Sequence, residues 1–183
     1  MEPLLRDEVV ALRPWRDADV PAKFRAFSDP VTQRFSWPEV RPYTEQDAWA
    51  THHDHKQAWE DGTGAEFACV DPHDDERIIG GASVYDIEHA WARASVGYWV
   101  APQARRQGVA THAVLLLARW AFAELGIKRL QITCGPDNAA SQRVAERAGF
   151  TREALLRSHI PFKGGRRDTV VFSLLPHELE NRT

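Results

Sequence analysis

The sequence predicts a single α/β domain, in which helices flank a mixed, mostly antiparallel and twisted sheet of about seven strands. Two observations predict this class. Along the 183-residue chain, strand-like segments, in which apolar and polar residues alternate, are interspersed with segments whose apolar residues have helical spacing. The hydrophobic content of 43% suffices for one core in a chain of this length. No repeat, linker or low-complexity segment divides the chain, so residues 1–183 are expected to form one domain.

In the first half of the chain, turn and capping signals separate the predicted elements. Thr44 and Asp47 have the spacing of a capping box, so a helix is predicted to begin there and to end near residue 60. The stretch 35–43 is rich in turn-forming residues and is predicted to be irregular. The remaining predicted elements are a strand at 8–15, a helix at 17–27, and strands at 66–70, 78–85 and 92–100.

The second half of the chain predicts a helical crossover between two strands. Apolar residues at helical spacing predict a helix at 109–125, and Gly126 suits the position after its end. Gly149 is predicted to end the next helix in the same way. The other predicted elements are a strand at 130–134, a helix at about 140–148, and strands at 150–160 and 167–174 that flank a turn.

The turn between strand 92–100 and helix 109–125 carries a chemical signal. Gly108 lets the backbone approach a ligand closely, and the free N–H groups of the following helix point to the same place as the positive end of the helix dipole. Pyrophosphate fits such a site, although many α/β proteins have a turn of this kind without a ligand. The glycine patterns of nucleotide triphosphate loops and dinucleotide folds are absent. The residues predicted to hold the anion are Arg105, Arg106, Gln107, Gly108, Val109 and Ala110.

A second set of motifs, farther along the chain, makes the signal specific. Asn138 and Ser141 stand at the predicted start of a helix that ends in Ala148-Gly149-Phe150. The order strand, glycine turn, helix, strand, Asn-x-x-Ser helix and Gly-Phe resembles the GNAT superfamily of acyl-CoA N-acyltransferases, and within it the ribosomal-protein N-terminal acetyltransferase branch. Further matches to this branch over almost the full chain are Gly97-Tyr98-Trp99-Val100, Gly165-Arg166-Arg167-Asp168-Thr169 and, more loosely, Leu12-Arg13-Pro14 and Trp37-Pro38.

The resemblance implies a fold, a co-substrate and a reaction. It implies that residues 1–183 form a GNAT domain with splayed central strands, in which acetyl-CoA is the co-substrate and no metal takes part. The acetyl group would move by direct attack in a ternary complex to a primary amine, either a protein N-terminus or a small-molecule amine. One alternative is a module that binds acyl-CoA without catalysis. Another is a transferase of a longer acyl group such as succinyl, which Arg105 would assist.

The resemblance also implies roles for residues at the splayed strands. A backbone N–H near Trp99 and Val100 would stabilise the oxyanion of the attacked thioester. The side-chain amide of Asn138 would hold the pantetheine arm of CoA, and the hydroxyl of Ser141 would donate a proton to the departing thiolate. From the residues alone, sheet packing of Trp99, a plain N-cap at Asn138 and a structural first-turn role for Ser141 remain open.

The general base is the least defined part of the predicted site. The branch often has a glutamate before the Gly-Tyr-Trp motif and another on the helix after the glycine turn, whereas this chain has Ser95 and His112 there. The candidates are therefore Glu88, His89, His112 and His159, with a relay through water as an alternative. A neutral imidazole can accept a proton at physiological pH, which favours His159.

Aromatic residues mark the segment that is expected to cover the acceptor, residues 35–59. Trp37 and Tyr43 are predicted to bind the substrate, because an aromatic face attracts an ammonium group. Trp49 and Trp59 are predicted to pack a helix onto the sheet. No residue in this segment identifies one particular amine.

Composition limits the partners and the location. The net charge of -3 argues against a nucleic-acid surface, and no run approaches the roughly 20 apolar residues that span a bilayer. We therefore expect a cytoplasmic protein that binds neither nucleic acid nor membrane, and a homodimer is compatible with the sequence. Cys69 and Cys134 are predicted to be buried free thiols. His52, His53 and His55 are predicted to form a solvated polar face rather than a metal site.

Overall fold

The computed structural model describes residues 5–180, and its centre is an eight-stranded sheet. The strands are β1 (Leu5–Arg6), β2 (Ala11–Pro14), β3 (Ala65–Asp71), β4 (Asp74–Glu88), β5 (Arg93–Val100), β6 (Arg129–Cys134), β7 (Thr151–Phe162) and β8 (Gly165–Leu174). They lie in the order β1-β2-β3-β4-β5-β6-β8-β7, and within the described residues the one parallel pair is β5 with β6. The predicted mixed, mostly antiparallel sheet is confirmed, with one strand more than expected.

Six α-helices lie along the described part of the chain. They are α1 (Val20–Phe27), α2 (Pro30–Ser36), α3 (Glu45–Glu60), α4 (Val109–Glu124), α5 (Ala139–Arg147) and α6 (Pro176–Glu180). The predicted helices are confirmed as α1, α3, α4 and α5. Helix α2 is absent from the prediction, which takes Pro30 as a break. In the structure Asp29 caps α2 by accepting from the Thr32 N–H at 3.0 Å, and Pro30 fits the first helical position because that position needs no N–H.

Helix α3 begins at the predicted capping box. The Thr44 hydroxyl accepts a hydrogen bond from the Asp47 N–H at 3.3 Å, and the Asp47 carboxylate accepts one from the Thr44 N–H at 2.8 Å. Arg41 pairs with the same carboxylate through two nitrogens, and hydrogen bonds from Arg41 and Thr44 hold the pKa of Asp47 well below its ordinary value. The box therefore fixes the start of α3, which packs beside β3.

The main core lies between the sheet and helices α4 and α5. Val114, Leu117 and Ala121 are completely buried on α4, at the helical spacing that the sequence predicts. They belong to one apolar cluster with alternate residues of the strands, among them Leu130 and Ile132 of β6. Replacing a fully buried leucine such as Leu117 with alanine typically costs about 2–5 kcal/mol, so this layer stabilises the sheet strongly.

Helices α1 and α3 lie against the opposite face of the sheet. Phe27 at the end of α1 packs edge-on against Trp99 of β5, with 5.7 Å between the ring centroids. Lys23 of α1 forms an ion pair with Glu66 of β3 at 2.7 Å. Tyr98, the neighbour of Trp99, packs instead against the core on the α4 side, as strand alternation requires.

The parallel strands β5 and β6 separate after a short paired segment. Their pairing covers three residues of each strand and stops at Ser95 and Gln131, although β5 continues to Val100 and β6 to Cys134. Strand β5 keeps its pairing with β4 as far as Val100. The unpaired part of β5 therefore borders a gap in the sheet, which confirms the predicted splay of the central strands.

Other predictions concern single side chains and the membrane. Cys69 and Cys134 are buried free thiols, as predicted. The predicted solvated face of histidines is wrong for His52, because this residue is 4% exposed and its Nε2 atom lies 2.9 Å from the Asp17 carboxylate. Within residues 5–180, no helix is long and apolar enough to cross a membrane, and no group of three His, Cys, Asp or Glu side chains could hold a metal ion.

Candidate active site

The turn before α4 has the backbone geometry of an anion site. Arg106 has φ +64° and Gly108 has φ +84°, so the chain enters the left-handed region twice within the turn. The Gln107 side chain bonds back onto the preceding residues. The His112 N–H donates to the Gly108 carbonyl at 3.1 Å, and this is the first backbone hydrogen bond of α4. The N–H groups of residues 109–111 consequently have no acceptor inside the helix and are available to a ligand.

The Arg105 side chain contacts the start of α2 and the end of β5. Its guanidinium bonds the Asp29 carboxylate at 2.5 Å, the Val100 carbonyl at 3.2 Å and the Thr32 hydroxyl at 3.2 Å. The hydrogen bond from Arg105 in turn holds the pKa of Asp29 below its usual value. The predicted contact of Arg105 with pyrophosphate stays a prediction, and in this structure Nε and Nη2 of its guanidinium bond acceptors at α2 and at the end of β5. The alternative of succinyl recognition by Arg105 stays a prediction, and Arg106 is exposed in the turn.

A cavity of about 350 Å³ passes through the gap between β5 and β6. On the side of α4 and α5 its wall includes Tyr98, Asn138 and Ser141. On the side of α1 and α2 it includes Phe27 and Phe35. These two sets of side chains belong to opposite faces of the sheet, so the cavity connects the faces. Two molecules that enter from opposite sides can therefore meet inside the sheet.

The backbone of β5 presents hydrogen-bond donors to this gap. The Ala101 N–H donates to the Ile79 carbonyl of the β4 strand at 2.9 Å, which fixes the alternation of N–H directions along β5. By this alternation the N–H of Trp99 points to β4, whereas those of Tyr98 and Val100 point into the gap. The predicted backbone contact stays a prediction, and of its two residues Val100 directs its N–H into the gap whereas Trp99 directs its N–H to β4.

Two hydroxyl groups meet at the edge of the gap. The Tyr98 hydroxyl oxygen lies 2.7 Å from the Ser141 hydroxyl oxygen and 3.2 Å from the Ser141 carbonyl. Burial raises the pKa of Tyr98, so its phenol keeps the proton at neutral pH. When Tyr98 donates to Ser141, the Ser141 hydrogen is free to donate into the cavity. The contribution of Tyr98 is absent from the sequence prediction, which assigns this role to Ser141 alone.

Asn138 caps α5 and keeps a free donor group. Its side-chain oxygen accepts a hydrogen bond from the Ser141 N–H at 3.1 Å, which is the N-cap arrangement. Its side-chain NH₂ group has no partner among residues 5–180, and the residue lines the gap cavity. This group is available to a carbonyl of the pantetheine arm, so the predicted contact with the cofactor is compatible with the N-cap.

A larger groove of about 850 Å³ lies beside α3 and adjoins the gap cavity. The two cavities share His55, Glu66, Ser83 and Tyr85, so a molecule in the groove can reach the gap. Strands β4, β5 and β6 line the groove with hydroxyl, amide and charged groups. Members of this polar wall are Asp86, Glu88, Arg93, Ser95, Arg129 and Gln131.

The four predicted bases lie in different surroundings. Three of them are bound to partners away from the gap, namely Glu88 to Arg93 at 2.8 Å, His89 to the Gly62 carbonyl at 3.0 Å and His112 to Asp7 at 2.7 Å. His159 lines the groove, and its Nδ1 atom lies 2.6 Å from the Thr169 hydroxyl. Glu88 also lines the groove, but Arg93 occupies its carboxylate, so His159 stays the predicted base.

The two predicted substrate residues lie outside both cavities. Tyr43 is 5% exposed, and its ring packs against Phe24, Phe27 and Trp37. Trp37 stands edge-on to Tyr43 and donates from its indole N–H to the Arg41 carbonyl at 2.7 Å. Direct substrate contact stays a prediction for both residues, and in this structure the Tyr43 ring packs against other aromatic rings. In this structure Trp37 is part of the same cluster.

The structure adds charged groups to which the sequence prediction gives no role. Arg167 lines the gap cavity and stacks on the Phe162 ring at 3.8 Å. Its Nε atom is buried and has no hydrogen-bond partner among residues 5–180, and burial lowers the pKa of the guanidinium. A cluster of Lys23, His55 and Glu66 borders the groove. Arg167 lies in one of the motifs that resemble the acetyltransferase branch, whereas the cluster joins distant elements and has no local signal.

An anion site at the start of a helix, a gap between parallel strands and a groove on the far face together define an acyltransferase that uses acyl-CoA. Residues 10–151 match the family model described as the acetyltransferase (GNAT) domain. The chain therefore belongs to the GNAT acetyltransferase family, and it is an N-acetyltransferase with acetyl-CoA as co-substrate.

Known proteins and structures agree with this assignment. The uncharacterized N-acetyltransferase YoaA of Bacillus subtilis is 27% identical over 96% of this chain and 98% of its own length. The ribosomal-protein-serine acetyltransferase of Escherichia coli is 33% identical over 45% of this chain and 46% of its own length. The crystal structure of the microcin C7 self-immunity acetyltransferase MccE with acetyl-CoA and AMP has a TM-score of 0.80 at 22% identity, covering 93% of this chain and 94% of that one. The predicted family and fold are confirmed.

Proposed function

We propose that this enzyme acetylates the N-terminal amine of a protein or peptide, by direct attack of the amine on acetyl-CoA in a ternary complex. The observation that carries the proposal is the cavity of about 350 Å³ that passes through the β5–β6 gap and joins the groove on the far face. A thioester that enters from the α4 side and an amine that enters from the groove meet in this gap. Direct transfer therefore needs no acetylated enzyme residue.

On the cofactor side, the turn before α4 binds the pyrophosphate of CoA. The donors are the N–H groups of residues 109–111, with the Arg106 side chain at the rim. The pantetheine arm follows the unpaired edge of β5, where the backbone offers it the hydrogen bonds of a missing strand. The side-chain NH₂ group of Asn138 binds one amide carbonyl of this arm.

In the gap, the thioester carbonyl lies against the N–H groups of Tyr98 and Val100. These donors stabilise the oxyanion that forms as the amine attacks, and one such donor typically contributes roughly 10²–10³ in rate. When the C–S bond breaks, the CoA thiolate takes a proton from the Ser141 hydroxyl. The Tyr98 hydroxyl, 2.7 Å away, supports this donation.

The groove favours a peptide over a small amine. Its volume of about 850 Å³ is at the upper end of the range for small-molecule pockets and accommodates several residues of an extended chain. Ser83, Ser95 and Gln131 line it with groups that can hydrogen-bond a peptide backbone. The name of the relative from E. coli also gives a protein as substrate. A protein acceptor inside the cell is consistent with the expected cytoplasmic location.

The test compares primary amines in one assay of thiol release from acetyl-CoA. The panel contains peptides with a free N-terminus, the same peptides with a blocked N-terminus and a free lysine, polyamines and aminoglycosides. We expect the free N-terminal peptides to give the highest kcat/KM, and mass spectrometry to place the acetyl group on the terminal nitrogen. Faster acetylation of the blocked peptides or of a small amine would contradict the proposed acceptor.

A further inference from the structure

Three charged side chains from three separate elements meet beside the groove. Lys23 of α1 donates to the Glu66 carboxylate of β3 at 2.7 Å, and the Nδ1 atom of His55 on α3 bonds the same carboxylate oxygen. The Lys23 and Glu66 side chains are 1% and 9% exposed, whereas the His55 side chain is 38% exposed. His55 is thus the member of the cluster that reaches the open space of the cavities.

The bonding pattern assigns the tautomer of His55. Burial alone would raise the pKa of Glu66, but the hydrogen bond from His55 and the charge of Lys23 outweigh burial and lower it, so Glu66 is a carboxylate. Nδ1 of His55 lies closer to the Glu66 carboxylate, which only accepts, than to the Lys23 ammonium at 3.2 Å, which only donates and already bonds Glu66, and Nδ1 therefore carries a proton. The Nε2 atom is left with its lone pair, and it has no hydrogen-bond partner in the part of the chain that the structure describes.

His55 lies where the acceptor must pass. Both His55 and Glu66 line the groove and the gap cavity, so the cluster stands at the junction of the two. His159 lines the groove but not the gap cavity, and its Nδ1 atom is bound to the neutral hydroxyl of Thr169 rather than to a carboxylate. The position and the partner of His55 therefore suit proton transfer in the gap better than those of His159.

We propose that His55 is the general base that takes the proton from the acceptor amine, with Glu66 and Lys23 as positioning residues. This inference rests on the proposed transfer to a primary amine. Glu66 fixes the orientation of the imidazole ring and stabilises the imidazolium that forms. The positive charge of Lys23 keeps Glu66 ionised and in place. This charge acts strongly because both side chains are almost completely removed from water, which would otherwise screen it.

The step balances in protons and bonds. The ammonium group of the bound acceptor gives one proton to Nε2 of His55, and the neutral nitrogen then attacks the thioester carbon. The C–N bond forms as the C–S bond breaks. The proton on His55 leaves to solvent through the groove. The nitrogen loses a second proton when it becomes an amide. This proton replaces the one that the Ser141 hydroxyl gives to the CoA thiolate, so Ser141 ends the reaction protonated.

Several other groups contribute to the pH dependence of a base at this place. Lys23 and Glu66 contact His55 directly. The other charged or titratable groups that line the three cavities bordered by His55 are Asp17, His52, Lys56, Glu60, Tyr85, Asp86, Glu88, Arg93, Tyr98, Arg129, Cys134, His159 and Arg167. A pH profile of the wild type alone does not distinguish among them, so the test compares variants.

The test measures kcat/KM for the acceptor in the wild type and in His55→Asn from pH 6.5 to 9. The acceptor is the primary amine that the wild type acetylates fastest. At pH 6.5 we expect kcat/KM for the acceptor to fall about 10²-fold, the usual contribution of a general base, with unchanged affinity for acetyl-CoA. At pH 9 the ratio of wild type to variant should be about tenfold smaller, because more of the acceptor amine is then neutral without help. A purely structural role would give a ratio that does not change with pH.

The matched control is His53→Asn, an exposed histidine on the same helix, which should keep the wild-type rate at both pH values. Glu66→Gln should lower kcat less than His55→Asn does and leave the KM for acetyl-CoA unchanged. A rise in Tm with acetyl-CoA shows that a variant is folded, and His55→Gln replaces His55→Asn if that rise is absent.

Two results would overturn the proposal. The first is a His55→Asn enzyme whose rate at pH 6.5 equals that of the wild type. The second is a pH-dependent loss in His159→Asn with none in His55→Asn. Since the acceptor in this test is the best amine found, a failed preference for peptides disproves the proposed acceptor and leaves the test of His55 intact.

Discussion

The two sides of the β5–β6 gap are built from different kinds of contact. On the cofactor side, the proposed anion site consists of one turn and the first residues of α4, and its shape depends on backbone angles within that turn. On the acceptor side, Lys23 contacts partners that lie 32 and 43 residues away along the chain, His55 and Glu66. The first site depends on a short segment, whereas the second exists only when α1, α3 and β3 are packed together.

The same two sides differ in what holds them in place. Backbone N–H groups at the start of a helix remain hydrated when no ligand is present, so the cofactor site needs no partner charge. The acceptor side buries Lys23 and Glu66 almost completely, and removing one partner of such a buried pair typically costs about 3–5 kcal/mol. Changes on the cofactor side should therefore alter binding with modest effects on stability, whereas changes at the buried pair should alter both.

The largest effect on the chemistry is expected at Ser141. Ser141→Ala removes the donor beside the departing thiolate, and kcat should fall roughly 10²–10³-fold while the Kd of acetyl-CoA stays nearly constant. Tyr98→Phe should lower kcat less, because it removes the group that supports the donor. Thiol release at saturating acetyl-CoA measures kcat, and thermal melting measures the fold. If Ser141→Ala melts earlier but turns over at the parent rate, Ser141 is only a helix-start residue.

A smaller effect, on binding, is expected at one glycine of the cofactor side. Gly108→Val forces a β-branched residue to φ +84° and crowds the approach of the pyrophosphate, so the Kd of CoA should rise about tenfold. Gly126→Val is the matched control, because Gly126 has φ +66° and no atom within 4 Å of an added Cβ. Both variants should lose about 1–2 kcal/mol of stability.

Calorimetry with CoA separates binding from strain in these two glycine variants. Weaker binding in Gly108→Val alone would confirm the turn as the pyrophosphate site. Equal affinities for CoA in the two folded variants would contradict the proposal that this turn binds the pyrophosphate.

The cofactor side can be predicted from the sequence better than the acceptor side, because it is formed by one short segment and the acceptor side by distant elements. The capping box at Thr44 and the glycine turn at Gly108 each lie within a few consecutive residues, so a local pattern suffices to predict them. The contact of Lys23 with Glu66 has no local pattern, because a charged residue on a helix and one in a strand are each expected at the surface. Only the packing of α1 on β3 brings them together.

Side-chain roles are harder to predict than backbone geometry for a related reason. Arg105 and Tyr43 are predicted to contact ligands because a cation attracts a phosphate group and an aromatic ring attracts an ammonium group. In the structure Arg105 binds the start of α2, a helix that the sequence pattern does not predict, and Tyr43 fills an aromatic cluster. Long or large side chains reach beyond their own segment, so their partners depend on the tertiary fold.

The smallest effects should separate the two arginines of the turn. Arg105→Gln loosens α2, which lines the gap cavity, so the KM for the acceptor should rise about threefold with unchanged affinity for CoA. Arg106→Gln removes an exposed cation at the anion site, so the Kd of CoA should rise about threefold and the KM for the acceptor should not change. Kinetics with each substrate varied in turn measure both. If Arg105→Gln instead raised the Kd of CoA and Arg106→Gln raised the KM for the acceptor, Arg105 would be the residue that contacts the phosphate.

The central claim is that the two substrates meet in the gap, and initial-rate kinetics tests it most directly. Varying acetyl-CoA at several fixed concentrations of the acceptor should give intersecting lines in double-reciprocal plots, because both substrates must be bound before the acetyl group moves. The intact enzyme incubated with acetyl-CoA alone should keep its mass. Parallel lines, together with an enzyme that gains one acetyl group on a residue of the gap such as Cys134, would contradict direct transfer.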